Sequence, residues 1–212
     1  MIYYFISLLS PQCTFYLCTM PKITKIALLA SGSGSNAEAV CRYFQGHPSI
    51  KISFLLFNRK SAKAAERVSS LGISSHFFGK NDWETGEKPL QFLKGHKIDW
   101  IILAGFLLKI PKSFTETFPN KMINLHPSLL PKFGGKGMYG RHVHEAVIEA
   151  KESEAGISIH LVNEKFDDGR VLFQASIPVS SNETPETLAQ RINEIELIHF
   201  PRGIEKTITH GI

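Results

Sequence analysis

The chain has 212 residues, 43% of them apolar, and its 24 Lys and Arg against 19 Asp and Glu leave a formal charge of +5. That length and composition support a hydrophobic core in one domain or two close-knit lobes, without disulfides or structural metal. The small positive excess, with no basic run and no aromatic-basic interleaving, offers no nucleic-acid track and is satisfied by anionic small molecules. Cys13, Cys18 and Cys41 cannot all pair and form no C-x-x-C, which argues against a disulfide framework or a zinc site and fits a reducing cytoplasm.

Met1 to Met20 contains no charged side chain, unlike everything that follows Pro21. A signal peptide needs a positive n-region, and Pro11 and the short apolar runs argue against a spanning helix. Residues 1–21 therefore read as an extension ahead of the fold, the alternatives being an extra element packed on the body or a targeting or membrane-attachment segment. From Lys25 onward β-rich runs alternate with helical ones. Predicted strands are Lys25 to Ala30, Lys51 to Phe57, Trp100 to Ala104, Met122 to Asn124, Ile157 to Val162 and Val171 to Ile177. Predicted helices are Asn36 to Phe44, Ser61 to Leu71, Lys88 to Lys94, His142 to Lys151 and Pro185 to His199, the last capped by Thr184 with Pro185 in its first turn. Strands alternating with helices predict an α/β fold with a mostly parallel sheet covered on both faces. The short polar turn Asn163 to Arg170 predicts a hairpin and so an antiparallel C-terminal portion. Residues 22–212 read as a single domain, its halves 22–120 and 121–212 meeting near residue 120.

Ser31-Gly32-Ser33-Gly34-Ser35-Asn36 follows the first strand and opens the first helix. There, backbone N–H groups and a helix N-terminus hold anions, with phosphate the natural guest. Gly34 permits close approach, and Ser35 and Asn36 add side-chain donors. The same residues satisfy G-x-G-x-x-A with Ala37 last. The second strand, however, ends at Asn58-Arg59-Lys60 with no acid for a ribose diol, which disfavours NAD and leaves Arg59 as a partner for the extra phosphate of NADP.

Asn124-Leu125-His126-Pro127-Ser128-Leu129-Leu130-Pro131 carries the most chemistry. Asn124 and His126 leave an extended chain on the same side, setting an amide donor beside an imidazole whose reference pKa is about 6.5. That pairing suits acyl transfer, the amide meeting negative charge on a carbonyl oxygen and the imidazole exchanging a proton near neutrality. Ser128 lies in no G-x-S-x-G elbow. The turn Phe166-Asp167-Asp168-Gly169-Arg170 offers two candidate acids to orient the imidazole, and Gly169 equally suits a plain turn.

With these motifs, and Leu103-Ala104-Gly105-Phe106, the chain resembles the glycinamide ribonucleotide formyltransferases, folate-dependent enzymes of purine synthesis, from about Ile23 to about Lys206. The resemblance implies a Rossmann-like three-layer sandwich whose residues 22–120 bind the ribonucleotide and whose residues 121–212 supply catalysis and part of the folate pocket. It implies Asn124, His126 and Asp167, rather than Asp168, as the catalytic trio, the amine attacking the formyl carbon directly while Asn124 and His126 stabilise the oxyanion and Asp167 assists proton transfer. Gly34, Ser35 and Asn36 would hold the 5'-phosphate and Glu196 the glycinamide end, while Phe106, Leu107, Leu108 and Val162 would border the pterin. The cosubstrate would be 10-formyltetrahydrofolate with no metal, acting on small molecules rather than nucleic acid or membrane, in a cytoplasmic monomer or homodimer. The chain departs from the family in the longer, glycine-rich Lys132 to Arg141 segment, in Asp168 and Arg170, and in stopping soon after Ile208.

Other residues carry weaker signals. His142 and His144 lie two apart on one predicted helix and do not share a face, so surface or loop-facing roles are expected. His160 reads as a hydrogen-bonded wall residue and Trp83 carries no signal. Competing functions are a formyltransferase acting on initiator tRNA or a sugar amine, whose usual extra domain 212 residues cannot hold, an NADP-binding oxidoreductase, and a catalytically silent ligand-binding module.

Overall fold

A computed structural model describes residues 22–211, so the extension expected over residues 1–21, with Cys13 and Cys18, lies outside the described residues. The first half contains β1 (Thr24–Ala30), α1 (Ser35–Tyr43), β2 (Ile50–Phe57), α2 (Ala64–Ser69), β3 (Ser75–Phe77), α3 (Lys80–Thr85), α4 (Glu87–Gly95), β4 (Trp100–Leu103) and α5 (Lys112–Thr117). The second half contains β5 (Met122–His126), α6 (Arg141–Glu149), β6 (Glu154–Leu161), β7 (Val171–Pro178) and α7 (Pro185–His210). The strands form one sheet in the order β3-β2-β1-β4-β5-β6-β7. It is parallel from β3 to β5 and antiparallel from β5 to β7. The expected α/β three-layer sandwich, mostly parallel with an antiparallel C-terminal hairpin, is what forms.

Apolar runs without alternation bury both faces of the central strands. Ile26 and Leu28 of β1 pack in one layer with residues of α1, α2, α6 and α7, while Ala27 and Leu29 pack in the other with residues of α3, α4 and α5. The chain winds from β1 outward to β3, then returns to place β4 on the opposite flank of β1. Chain connections diverge at that point, leaving a crevice beyond the carboxyl ends of the strands.

Three short elements were not anticipated from the sequence: β3 has 3 residues and α3 and α5 have 6 each, too few to display a period. The helix predicted to stop at His199 continues to His210 through Pro201. A proline inside a helix costs about 3 kcal/mol, but Phe200, Pro201, Ile204 and Thr207 are all buried on that stretch, and packing there outweighs the lost backbone bond. Gly203 makes the contact close, since a Cβ there would collide with Ile159 of β6.

Candidate active site

A cavity of about 910 Å³ opens along the carboxyl ends of β1, β4 and β5. Residues 32–36 after β1, 104–107 after β4 and 124–127 ending β5 form its base, and residues 135–141, Phe166, Asp167 and the first half of α7 wall it. Ser31 ties two of these segments together: its N–H donates to the Gly105 carbonyl at 3.0 Å and its Oγ accepts from the Leu107 N–H at 2.9 Å.

At one end, Gly34 caps α1 in the left-handed region at φ 79°. A side chain there would also collide with the backbone of Ala64, so the turn needs glycine on both counts. Asn36 Nδ2 donates to Glu196 Oε2 at 2.9 Å, and Asn193 Nδ2 reaches the same oxygen at 3.2 Å. Burial pushes the Glu196 carboxyl above its ordinary value, opposed by these two amides. Asn36 Oδ1 is buried without a protein partner. A carboxyl group from the last helix thus sits against the glycine loop 160 residues away.

At the other end, β5 presents Asn124 and His126 on one side, and the β6–β7 turn brings Asp167 to them. Asp167 Oδ2 lies 3.4 Å from His126 Nδ1, and its Oδ1 accepts from Asn124 Nδ2 at 3.4 Å. His126 Nε2 donates to the Phe133 carbonyl at 2.8 Å, and the Gly135 N–H donates to Asp167 Oδ2 at 3.0 Å. His160, opposite Asn124 in the β5–β6 register, donates from Nδ1 to the Leu161 carbonyl at 2.8 Å. Its Nε2 lies 3.0 Å from Asn124 Nδ2 and 3.6 Å from Asp167 Oδ1. Burial pushes His126 below its ordinary value against the Asp167 charge and the Phe133 carbonyl, which favour protonation. Burial alone would raise Asp167, but His160, His126 and the Gly135 N–H outweigh it and hold the carboxyl below the usual aspartate range.

The structure brings Asn124, His126 and Asp167 together, and gathers Gly34, Ser35, Asn36 and Glu196 at the far end of the same cavity. Phe106 and Leu107 line it, whereas Leu108 opens on an adjoining pocket of about 290 Å³ beside Lys80 and Trp83. Val162 packs with Leu108 against the second apolar layer rather than on the cavity wall. Sequence reasoning understated three residues. His160 is a wall residue, as expected, but its partner is Asn124; only the strand register reveals that. His144 is buried at 6% exposure and lines the cavity, contrary to the expected surface role, while His142 is the exposed one. Trp83 is 2% exposed and supports Phe106 from behind, ring centroids 4.6 Å apart. Among the described residues, no three His, Cys, Asp or Glu side chains are grouped to hold a metal ion, and no helix is long and apolar enough to cross a membrane.

The family model described as formyl transferase matches residues 24–204. The chain belongs to the formyl transferase family. The chain is 32% identical over 192 residues, 88% of each chain, to the phosphoribosylglycinamide formyltransferase of Haemophilus influenzae. The chloroplastic phosphoribosylglycinamide formyltransferase of Arabidopsis thaliana is 38% identical over 180 residues, 81% of this chain. This family member spans only 61% of that plant relative and 55% of the one from Vigna unguiculata. The crystal structure of phosphoribosylglycinamide formyltransferase from Anaplasma phagocytophilum superposes with a TM-score of 0.79 at 33% identity, covering 86% of this chain and 85% of that one.

Proposed function

We propose that the chain transfers the formyl group of 10-formyltetrahydrofolate to the amine of 5'-phosphoribosylglycinamide, giving formylglycinamide ribonucleotide and tetrahydrofolate in de novo purine biosynthesis in the cytoplasm. One observation carries the reading: a single cavity holds an anion-type glycine loop with a buried carboxyl group at one end and an amide, imidazole and carboxylate at the other. Its volume lies in the upper part of the range for small-molecule sites, about 300–1,000 Å³. The NADP reading loses its support, because Arg59 is exposed and off the cavity wall.

The loop N–H groups, Ser35 and Asn36 would hold the phosphate, Glu196 the glycinamide end, and Phe106 and Leu107 the pterin side, so residues 22–120 chiefly bind and residues 121–212 chiefly react. The formyl donor supplies an activated one-carbon carbonyl, which the amine attacks directly. Asn124 has one N–H on His160 and the other on the longer 3.4 Å contact to Asp167; the second is the one free to turn toward the oxyanion. The His126–Asp167 pair takes the amine proton and returns it to the departing nitrogen of tetrahydrofolate. Losing one oxyanion donor costs about 3 kcal/mol, roughly a hundredfold in rate. Formyl transfer measured from the donor to the ribonucleotide tests the reading: the chain transfers, and the Asn124→Ala, His126→Ala double variant does not. Transfer that survives both substitutions sinks the assignment.

A further inference from the structure

The segment between β5 and α6 meets the catalytic pair through its backbone. Phe133, Gly135, Gly137 and Gly140 all have positive φ, at 54°, 98°, 91° and 55°, and for a bulky residue such as Phe133 that conformation persists only where the surroundings over-determine it. At Gly134 an added Cβ would meet Leu130 Cδ2 at 2.5 Å and Asp167 Cβ at 3.3 Å. The segment therefore lies directly on Asp167. It makes two contacts there: the Phe133 carbonyl on His126 Nε2 and the Gly135 N–H on Asp167 Oδ2.

The chemistry of these contacts decides which nitrogen of His126 reacts. A carbonyl oxygen only accepts, so Nε2 must carry a hydrogen. In the neutral ring Nδ1 is then a lone pair, and it faces Asp167 Oδ2 at 3.4 Å, acceptor against acceptor. One proton placed between them satisfies both. We infer that the backbone of residues 133–135 is a positioning element of the catalytic pair, holding the His126 hydrogen on Nε2 so that the proton released by the attacking amine lodges between Nδ1 and Asp167. The new amide C–N bond forms, the bond from the formyl carbon to the folate nitrogen breaks, and the lodged proton leaves with that nitrogen. This inference rests on the formyl-transfer reading for the source of the proton, but the tautomer it assigns does not depend on turnover.

Long-range ¹H–¹⁵N NMR of the imidazoles tests it, with the His126 signals identified by their loss in His126→Gln. In the unmodified protein at a pH where the ring is neutral, His126 is expected as the Nε2–H tautomer. In Gly134→Ala, whose Cβ pushes the segment off, the tautomers mix and kcat falls about tenfold while the ribonucleotide KM stays within about twofold. An Nδ1–H tautomer in the unmodified protein overturns the inference, as does a fall in kcat with the tautomer unchanged. Where Gly134→Ala fails to fold, the tautomer of the unmodified protein decides alone. An absence of formyl transfer with the Nε2–H tautomer present overturns the functional reading and leaves the tautomer assignment standing.

Discussion

At the end of the cavity where we propose the ribonucleotide binds, the glycine loop is a strand-to-helix turn, built from consecutive residues with the left-handed conformation given to a glycine. At the other end, where we propose the chemistry occurs, Asp167 and Phe133 both take positive φ, at 52° and 54°, and the side chains gathered there come from β5, from β6 and from the turn after it, with the backbone of residues 133–135 against them. Both ends join segments remote in sequence, Glu196 of α7 to the glycine loop and Asp167 to β5, but only the first is framed by consecutive residues of one turn. On the proposed roles, binding should respond to changes in the glycine loop and in α7, and turnover to changes in β5, the β6–β7 turn and residues 133–135.

Asp167→Asn should separate the two ends most widely. It keeps the shape of the site but removes the proposed acceptor for the amine proton, so kcat should fall about 10²–10⁴-fold with the ribonucleotide KM little changed; steady-state kinetics would show it, and a loss confined to KM would break the contrast. Asn36→Ala should do the reverse, raising the ribonucleotide KM about tenfold while kcat holds. An unchanged KM would remove Asn36 from the substrate end.

The pH response sharpens the comparison. Burial holds His76, His126 and His144 below their ordinary value, so these rings stay neutral in the fold where the unfolded chain would already charge them. Their contribution to stability is present above about pH 6.5 and is lost as pH falls through their lowered folded values. Melting temperature should fall on acidification across that window, and His144→Gln should flatten the fall. Glu196 has the opposite sign: its carboxyl is raised by burial, so its charge costs stability once pH climbs through the raised value. Glu196→Gln should raise the melting temperature at pH 7, by about 2–4 °C for each kcal/mol relieved, while weakening ribonucleotide binding. A lower melting temperature would show that the Asn36 and Asn193 amides more than offset the burial.

Much of the fold was legible because its strands are long enough to display their burial. The continuous apolar run of β1 and the short polar turn between β6 and β7 announce the parallel core and the hairpin directly. The short β3, α3 and α5 were illegible for the converse reason, and the helix end expected at His199 is overridden by the buried residues beyond it. In the site, Asn124 and His126 were legible as a pair because two residues on one strand share a side. His160 and His144 were not, since a histidine's partners depend on strand register and helix rotation.

The longer elements, the glycine loop and the motif at residues 124–131 are legible in the chain alone, because each depends on side chains within a few positions of one another. It took the packed fold to set Glu196 against Asn36, Asp167 against His126 and the Phe133 carbonyl against the imidazole Nε2. Those outcomes depend on hydrogen bonds a few ångströms long between segments far apart in the chain, and such distances are set by how the sheet and α7 pack, not by any local pattern of residues.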